Sequence, residues 1–130
     1  MAGRPRDVTD AELEVLRLLW DGGPATIRAL TDELYPEGGA SAYATVQKLL
    51  ERLEGKDLVD HRAEGRHNVF HATVRREELV ARRLRDTADE LCDGSLTPLL
   101  TQLVSGGRLS RDELRELRRV VERESRRRRS

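Results

Sequence analysis

The sequence predicts a mainly α-helical protein with one small β-hairpin, arranged as a compact N-terminal domain followed by a helical arm. Leu, Val and Ala must provide most of the core, because the 130 residues include only one Trp, one Phe and two Tyr. Six stretches place apolar residues at helical spacing behind helix-start signals. Between the third and fourth stretch, the pattern changes to the alternation that is typical of strands.

Three helices are predicted in the N-terminal region. Thr9 and Glu12 form a capping box, and the apolar residues that follow recur at helical spacing until Gly22-Gly23-Pro24, so the first helix covers about residues 10–21. A second short helix fits residues 26–34, ahead of a Pro- and Gly-rich breaker. A third helix is expected to begin with Ser41 as its cap and to continue to about residue 56.

Two short strands follow the third helix, over residues 58–62 and 68–72. The connection, residues 63–67, contains Gly65, which indicates a hairpin. Three helices and a hairpin are the order of a winged helix-turn-helix domain, in which the third helix enters the DNA major groove and the hairpin reaches the flanking backbone. We therefore expect a winged-helix domain over residues 1–73.

The arm, residues 74–126, is predicted to contain three further helices. Thr97 as cap and Pro98 in the first turn begin the middle helix, and Ser110 with Glu113 forms a capping box for the last one. Each helix has one narrow apolar stripe, which buries too little area for a separate monomeric core. We expect the arm to dimerise through Val80, Leu84, Leu91, Leu114, Leu117 and Val121, and residues 127–130 to form a solvated basic tail.

The formal net charge is zero, whereas nucleic-acid binders usually carry a basic excess. Residues 1–73 contain 9 basic and 13 acidic residues, a balance of −4, and residues 74–130 contain 15 and 11, a balance of +4. Any DNA contact must therefore come from a local basic face.

The third helix provides such a face. Its apolar residues Val46, Leu49, Leu50 and Leu53 lie within one sector, so the opposite side is left for a ligand. There a methyl or hydroxyl near the helix start can contact base edges, and basic side chains further along can contact phosphate. An ordinary solvent-exposed helix remains the alternative, and Glu51 on the same side favours it. The predicted DNA-binding residues are Ser41, Ala44, Thr45, Lys48 and Arg52 on the helix and Arg66 at the hairpin tip.

No enzyme, metal or cofactor is expected. His61, His67 and His71 lie in or beside the hairpin, and His61 and His71 are candidates for cross-strand neighbours, but we find no carboxylate placed to complete a ligand set. The single cysteine, Cys92, is expected to be a small packed or half-exposed residue and not a redox sensor. Phosphate-binding loops and nucleophile motifs are missing from the sequence.

The chain is expected to stay in the cytoplasm. No apolar stretch approaches the roughly 18 residues that a membrane span requires. The polar start of the sequence lacks the hydrophobic segment of a secretory signal.

Five stretches form a joint pattern that is more specific than any of its parts: Thr9–Leu16 with Trp20, Ala44–Leu53, Glu64–Arg66 closing into Phe70, Gly94–Leu96, and Leu109–Leu114. With this pattern the chain resembles the penicillinase repressors, the family of the BlaI/MecI/CopY type. The resemblance covers nearly the whole chain.

The resemblance implies a dimeric repressor on a palindromic operator, released when a membrane-bound sensor detects a β-lactam or a related signal and the dimerisation arm is cleaved. Carried over by position, it makes Ala44, Thr45 and Lys48 the base-edge face and Arg66 the wing contact. The family's Asn-Phe cleavage bond falls at Gln102-Leu103. Neither residue matches, so a protease acting here needs a shifted specificity. The cysteine cluster of the copper-responsive branch is also missing.

A second hypothesis is a winged-helix protein-interaction module without specific DNA binding, which the acidic N-terminal half would permit. A third, a small metal-dependent enzyme or sensor, rests only on the histidines. Titration against DNA separates the first two hypotheses, since specific binding to DNA weakens steeply with salt.

Overall fold

The computed structural model describes residues 8–129, and the chain divides into two compact units between Leu79 and Val80. The described part is mainly helical with a three-stranded antiparallel sheet in the order β1-β3-β2, which confirms the predicted fold class. Its elements are α1 (Asp10–Gly22), β1 (Ala25–Thr26), α2 (Ile27–Leu34), α3 (Ala40–Gly55), β2 (Val59–Glu64), β3 (His67–Ala72), α4 (Arg76–Leu91), α5 (Thr97–Ser105) and α6 (Arg111–Arg129).

The predicted capping box at the start of α1 is confirmed. The Glu12 backbone N–H donates to Thr9 Oγ1 at 3.2 Å, and the Thr9 backbone N–H donates to Glu12 Oε1 at 2.9 Å. Both bonds satisfy amide groups that an isolated helix start leaves without a partner. After Gly22 the helix ends on Gly23, whose φ of 82° is a conformation that favours glycine.

The sequence analysis missed the first strand. β1 has only two residues, and Ala25 and Thr26 pair with Phe70 and Val69 of β3. Thr26 also caps α2, because its Oγ1 accepts the backbone N–H of Ala29 at 3.1 Å. Two residues are too few to show an alternating pattern, so the strand is visible only from its pairing.

The hairpin is longer and its loop is shorter than predicted. β2 and β3 pair in register from Val59 with Ala72 to Glu64 with His67, which leaves Gly65-Arg66 as a two-residue loop in place of residues 63–67. Gly65 has a φ of 60°, as the first loop residue of a type II′ turn requires. The loop therefore presents Arg66 at the very tip.

The core of the first unit lies between α1, α3 and the sheet. The four apolar residues predicted for the inner face of α3 are all buried, in one cluster with residues of α1, α2 and the sheet. Trp20 at the edge of this core donates its Nε1–H to the carbonyl of Val74 at 2.8 Å. The buried members are Val8, Val15, Leu16, Leu19, Leu30, Val46, Leu49, Leu50, Leu53, Leu58, Val59, Phe70, Val74 and Leu79.

A buried ion pair joins α1 to the end of α3. The Glu12 side chain has no exposed surface, and its Oε1 accepts from Lys56 Nζ at 2.7 Å, where the Lys56 side chain is 19% exposed. Burial alone raises the pKa of Glu12, but Lys56 and the bonds from Thr9 outweigh it, so the pKa lies below its ordinary value. Glu12 is therefore a carboxylate at neutral pH, and its Oε1 accepts from both Thr9 and Lys56.

The second unit contains most of α4 together with α5 and α6. No residue of α5 or α6 is buried. The predicted capping box is confirmed at 3.0 and 3.1 Å between Ser110 and Glu113. The helices are thus well formed locally, although α5 and α6 bury none of their side chains against the rest of residues 8–129.

Three local predictions were wrong. Ser41 is not the cap of α3, which begins at Ala40 after Gly39 and has no side-chain cap. Thr97 is already inside α5, after Leu96. Residues 127–129 do not form a separate tail but continue α6, because arginine is a good helix former and cations are stabilised at a helix C-terminus. Ser130 lies outside the described residues.

We predict that Glu12→Gln lowers the free energy of unfolding by about 2–3 kcal/mol at neutral pH, because Lys56 loses its charged partner in a partly buried position. The folded pKa of Glu12 is lowered, so its contribution is present above the unfolded value, near 4.5, and is lost as pH falls through the folded value. Urea unfolding at one protein concentration across pH measures both effects.

Glu14→Gln is the matched control, because Glu14 lies exposed on the same helix. It should change stability by less than about 0.5 kcal/mol. An unchanged stability of Glu12→Gln at neutral pH, or a difference from wild type that persists in acid, would contradict the role of this ion pair.

Candidate nucleic-acid interface

The five residues predicted to read DNA share the exposed face of α3. All five are exposed, and the apolar sector of the helix is buried against the core. At 100° per residue the two groups lie on opposite sides of the helix, so the packing that anchors α3 also presents this face to solvent. We call this group, Ser41, Ala44, Thr45, Lys48 and Arg52, the α3 outer face.

The hydroxyl of Thr45 has a defined role in this geometry. Its Oγ1–H donates to the carbonyl of Ser41, one turn earlier, at 3.0 Å. With its proton used inside the helix, the oxygen faces a ligand as an acceptor. In a major groove the matching donors are the amino groups of adenine and cytosine, and the Thr45 methyl can contact the methyl of thymine.

The basic side chains of the candidate interface differ in whether they already have acidic partners within the protein. Lys48 and Arg66 form no ion pair or side-chain hydrogen bond within residues 8–129, and both are exposed. Arg52 lies with its Nε 4.0 Å from Glu12 Oε2. Arg62, two residues before the end of β2, is bound to Glu64 at 2.7 Å. Lys48 and Arg66 are therefore the cations most available to phosphate.

The start of α3 adds a feature that sequence reasoning missed. Because Gly39 provides no side-chain cap, the first amide groups of α3 stay open to an external acceptor. A cleft of about 450 Å³ lies there, and Arg28 and Tyr43 line it, together with Asp32. Arg28 is exposed on α2 and reaches this place only through the packing of α2 on α3. No spacing in the sequence links it to the third helix.

The histidines are not arranged as the sequence suggested. His61 is opposite Phe70 and His71 is opposite Asp60, so the two histidines lie on different faces of the hairpin and are not cross-strand neighbours. The expectation that no carboxylate accompanies them was also wrong. Glu54 of α3 contacts His61, with Oε1 at 2.5 Å from Nδ1.

The arm exposes the apolar side chains that were predicted to dimerise. All six are exposed, Leu114 at 36% and Leu91 at 76% being the extremes. Leu100, Leu103 and Val104 of α5 are also exposed. The sequence analysis did not count them among the residues expected to dimerise. Gln102 and Leu103, the position of the family's cleavage bond, lie exposed within α5 and are helical.

Within residues 8–129, none of the helices combines the length and the apolar character needed to cross a lipid bilayer.

Comparison with known proteins decides the family. Residues 8–123 match the family model described as penicillinase repressor. The chain belongs to the penicillinase repressor family. This match spans the winged-helix unit, α4, α5 and most of α6, so the resemblance stated from the sequence is confirmed. The family is one of DNA-binding transcriptional repressors.

Two relatives known by sequence agree with this membership, and one solved structure is similar. A penicillinase repressor of Bacillus licheniformis is 25% identical over 115 residues, covering 88% of this chain and 89% of that protein. The methicillin resistance regulatory protein MecI of Staphylococcus aureus is 22% identical over 121 residues, covering 93% and 98%. The solution structure of the DNA-binding domain of the repressor BlaI is 27% identical and has a TM-score of 0.49, over 59% of this chain and 93% of that one.

Proposed function

We propose that this family member represses transcription by binding a palindromic operator in double-stranded DNA as a homodimer. The observation that carries the proposal is the α3 outer face: an exposed surface with a hydroxyl acceptor and an unpaired lysine, on a helix whose other side is locked into the core. Such a helix keeps its orientation when it enters a major groove.

The α3 outer face divides into base and phosphate contacts. Ala44 and Thr45, near the helix start, are short enough to approach base edges. Lys48 lies three residues after Thr45, and Arg52 lies seven residues after it. Both therefore remain on the same face of α3 and can contact bases or flanking phosphates. The open amide groups at the start of α3 suit a phosphate oxygen.

The hairpin provides a second backbone contact. Arg66 is carried at the tip of a two-residue loop and has no competing partner within residues 8–129. A wing in this position contacts the DNA backbone beside the groove that the third helix enters. Phosphate contacts of this kind hold the protein on DNA without reading its sequence.

Dimerisation is proposed from the arm. Nine exposed apolar side chains lie on α4, α5 and α6, and no residue of α5 or α6 is buried. A second copy of the chain would cover such surfaces symmetrically. Two reading helices held about one DNA turn apart, roughly 34 Å, then match a palindrome.

The second candidate function is a winged-helix module that binds another protein. It is favoured by the −4 charge balance of residues 1–73 and by Glu51, which is exposed on α3. The negative phosphates of DNA repel acidic side chains. If the chain is a protein-interaction module, it should therefore show no specific DNA binding.

The controlled genes are proposed from the relatives. One relative is named a penicillinase repressor and another a methicillin resistance regulatory protein. We infer that this chain controls genes of a β-lactam or cell-wall-stress response.

We predict that Thr45→Ala relaxes the sequence preference for the operator and that Lys48→Ala lowers operator affinity, each by about 1–3 kcal/mol if the contact is directly to a base. Both side chains are exposed on α3, so the fold should persist. Footprinting and titration of operator and scrambled DNA measure the two effects. Unchanged footprints in both folded variants would exclude α3 as the reading helix.

Arg66→Ala serves as the contrasting variant in the same titrations. It should weaken operator and scrambled DNA alike and reduce the salt slope of binding by about one. Arg66→Lys is its matched control, because it keeps the charge at the loop tip and should keep the slope. If wild type shows no difference between operator and scrambled DNA, the protein-interaction function is favoured.

We predict that Leu117→Asp, or equally Leu114→Asp, disrupts the dimer, because a carboxylate without a partner costs several kcal/mol in an apolar interface. Light scattering should show a monomer, and operator affinity should fall by ~100-fold or more as linkage of the half-sites is lost. Leu117→Met, which keeps the size and apolar character, should remain dimeric. A monomeric wild type that still binds a palindrome tightly would contradict the arrangement.

Release from the operator is proposed to act through loss of the arm. α5 lies between Gly94 and Gly106-Gly107, so local opening can unwind the helical Gln102-Leu103 bond for cleavage without unfolding the winged-helix domain. We predict that treating producing cells with a cell-wall antibiotic yields a fragment ending near residue 102 as operator occupancy falls, measured by mass spectrometry and footprinting. Derepression with an intact, dimeric chain would contradict cleavage by the pathway of a membrane sensor protease.

A further inference from the structure

A cluster of three metal-binding side chains lies at the root of the hairpin. A ring nitrogen of His61 and one carboxylate oxygen each from Glu54 and Asp60 lie within 4.8 Å of one another. Glu54 belongs to the last turn of α3, and the other two residues belong to β2. Glu54 is on a different sector of α3 from the outer face, so the cluster is separate from the predicted DNA contacts.

The donor set points to a divalent transition metal. One imidazole nitrogen and two carboxylate oxygens are ligands that Zn²⁺ accepts, whereas Mg²⁺ and Ca²⁺ prefer oxygen alone. Zinc ligands lie about 2.0–2.2 Å from the ion, so ligand atoms around one ion are roughly 3–3.5 Å apart. The three ligand atoms already lie within 4.8 Å of one another, so small side-chain shifts would reach this spacing. Glu54 Oε1 and His61 Nδ1, now 2.5 Å apart, would move apart, and the Asp60 oxygen would move closer to both.

The surrounding structure holds the ligands near this geometry. The His61 ring packs against Phe70, with centroids 5.1 Å apart, and Phe70 is buried. The Asp60 carboxylate accepts the backbone N–H of His61 at 2.8 Å, which holds one of its oxygens beside His61 although the two side chains leave opposite faces of β2. Glu54 lies where the C-terminal end of α3 attracts cations. The side chains of Glu54 and His61 are 30% and 39% exposed, so an ion can enter and water can complete its coordination.

We propose that Glu54, Asp60 and His61 bind one divalent transition-metal ion, with Zn²⁺ as the best match. The ion replaces the direct contact between Glu54 and His61 with a bridge from α3 to β2. The hairpin is then fixed to the helix beside it. An effect of the ion on operator affinity rests on the proposed function, but metal binding itself does not.

The test uses the full chain after removal of metals with a chelator. Titration with Zn²⁺ in a calorimeter should show one ion per chain, and Co²⁺ should give visible d–d absorption bands typical of nitrogen and oxygen ligands. Bound Zn²⁺ should also raise the melting temperature, because it binds only the folded chain. None of these readouts requires DNA, so failure of metal binding is distinguishable from failure of the proposed function.

Variants separate the cluster from other metal-binding groups. His61→Ala and Glu54→Gln should each weaken Zn²⁺ binding by at least about tenfold, since the loss even of second-shell groups costs that much at zinc sites. His67→Ala is the matched control, an exposed histidine on the neighbouring strand, and Cys92→Ser tests the thiol. Both should bind like wild type. No binding by wild type, binding unchanged in His61→Ala, or equal losses in His67→Ala would overturn the proposal.

Discussion

The buried carboxylate of Glu12 is the constraint on which the first unit depends. A charge without exposed surface must be matched, and this one is matched from two directions: the start of its own helix through Thr9 and the end of α3 through Lys56. The same residue therefore closes a capping box and fixes α3 against α1. Arg52, a residue of the α3 outer face, lies with its Nε 4.0 Å from Oε2 of the same carboxylate. The buried charge of Glu12 therefore also attracts a cation of the outer face.

The pairing of acidic side chains bears on the DNA-binding surface proposed for this acidic domain. Residues 1–73 have an excess of four acidic residues, but Glu12 turns inward and Glu54 and Glu64 are bound to His61 and Arg62. Lys48 and Arg66 remain unpaired within residues 8–129. These three acidic groups are engaged within the domain, while Lys48 and Arg66 stay available as local cations that the net charge does not reveal. The two units also differ in what they bury: the first has a closed core, whereas the α5 and α6 of the second bury no residue.

The hairpin root shows how one contact can serve several purposes. The pair of Glu54 and His61 connects the end of α3 to β2, and the packing of His61 on Phe70 connects it to the core. A hairpin of two strands is marginally stable by itself, so these contacts and the pairing with β1 help to hold it in place. The position of Arg66 at its tip thus depends on interactions that begin at α3.

The sequence by itself determined the features that rest on local patterns. The capping boxes at Thr9 and Ser110, the apolar sector of α3 and the order of helices and hairpin follow from spacing and side-chain chemistry over a few residues. The tertiary structure alone decided the pairing of β1 with β3, the ion pair of Glu12 with Lys56, the place of Arg28 at the start of α3 and the meeting of Glu54 with His61. Most of these join residues far apart in the chain, and all depend on how helices and strands pack, for which a single sequence contains no local signal.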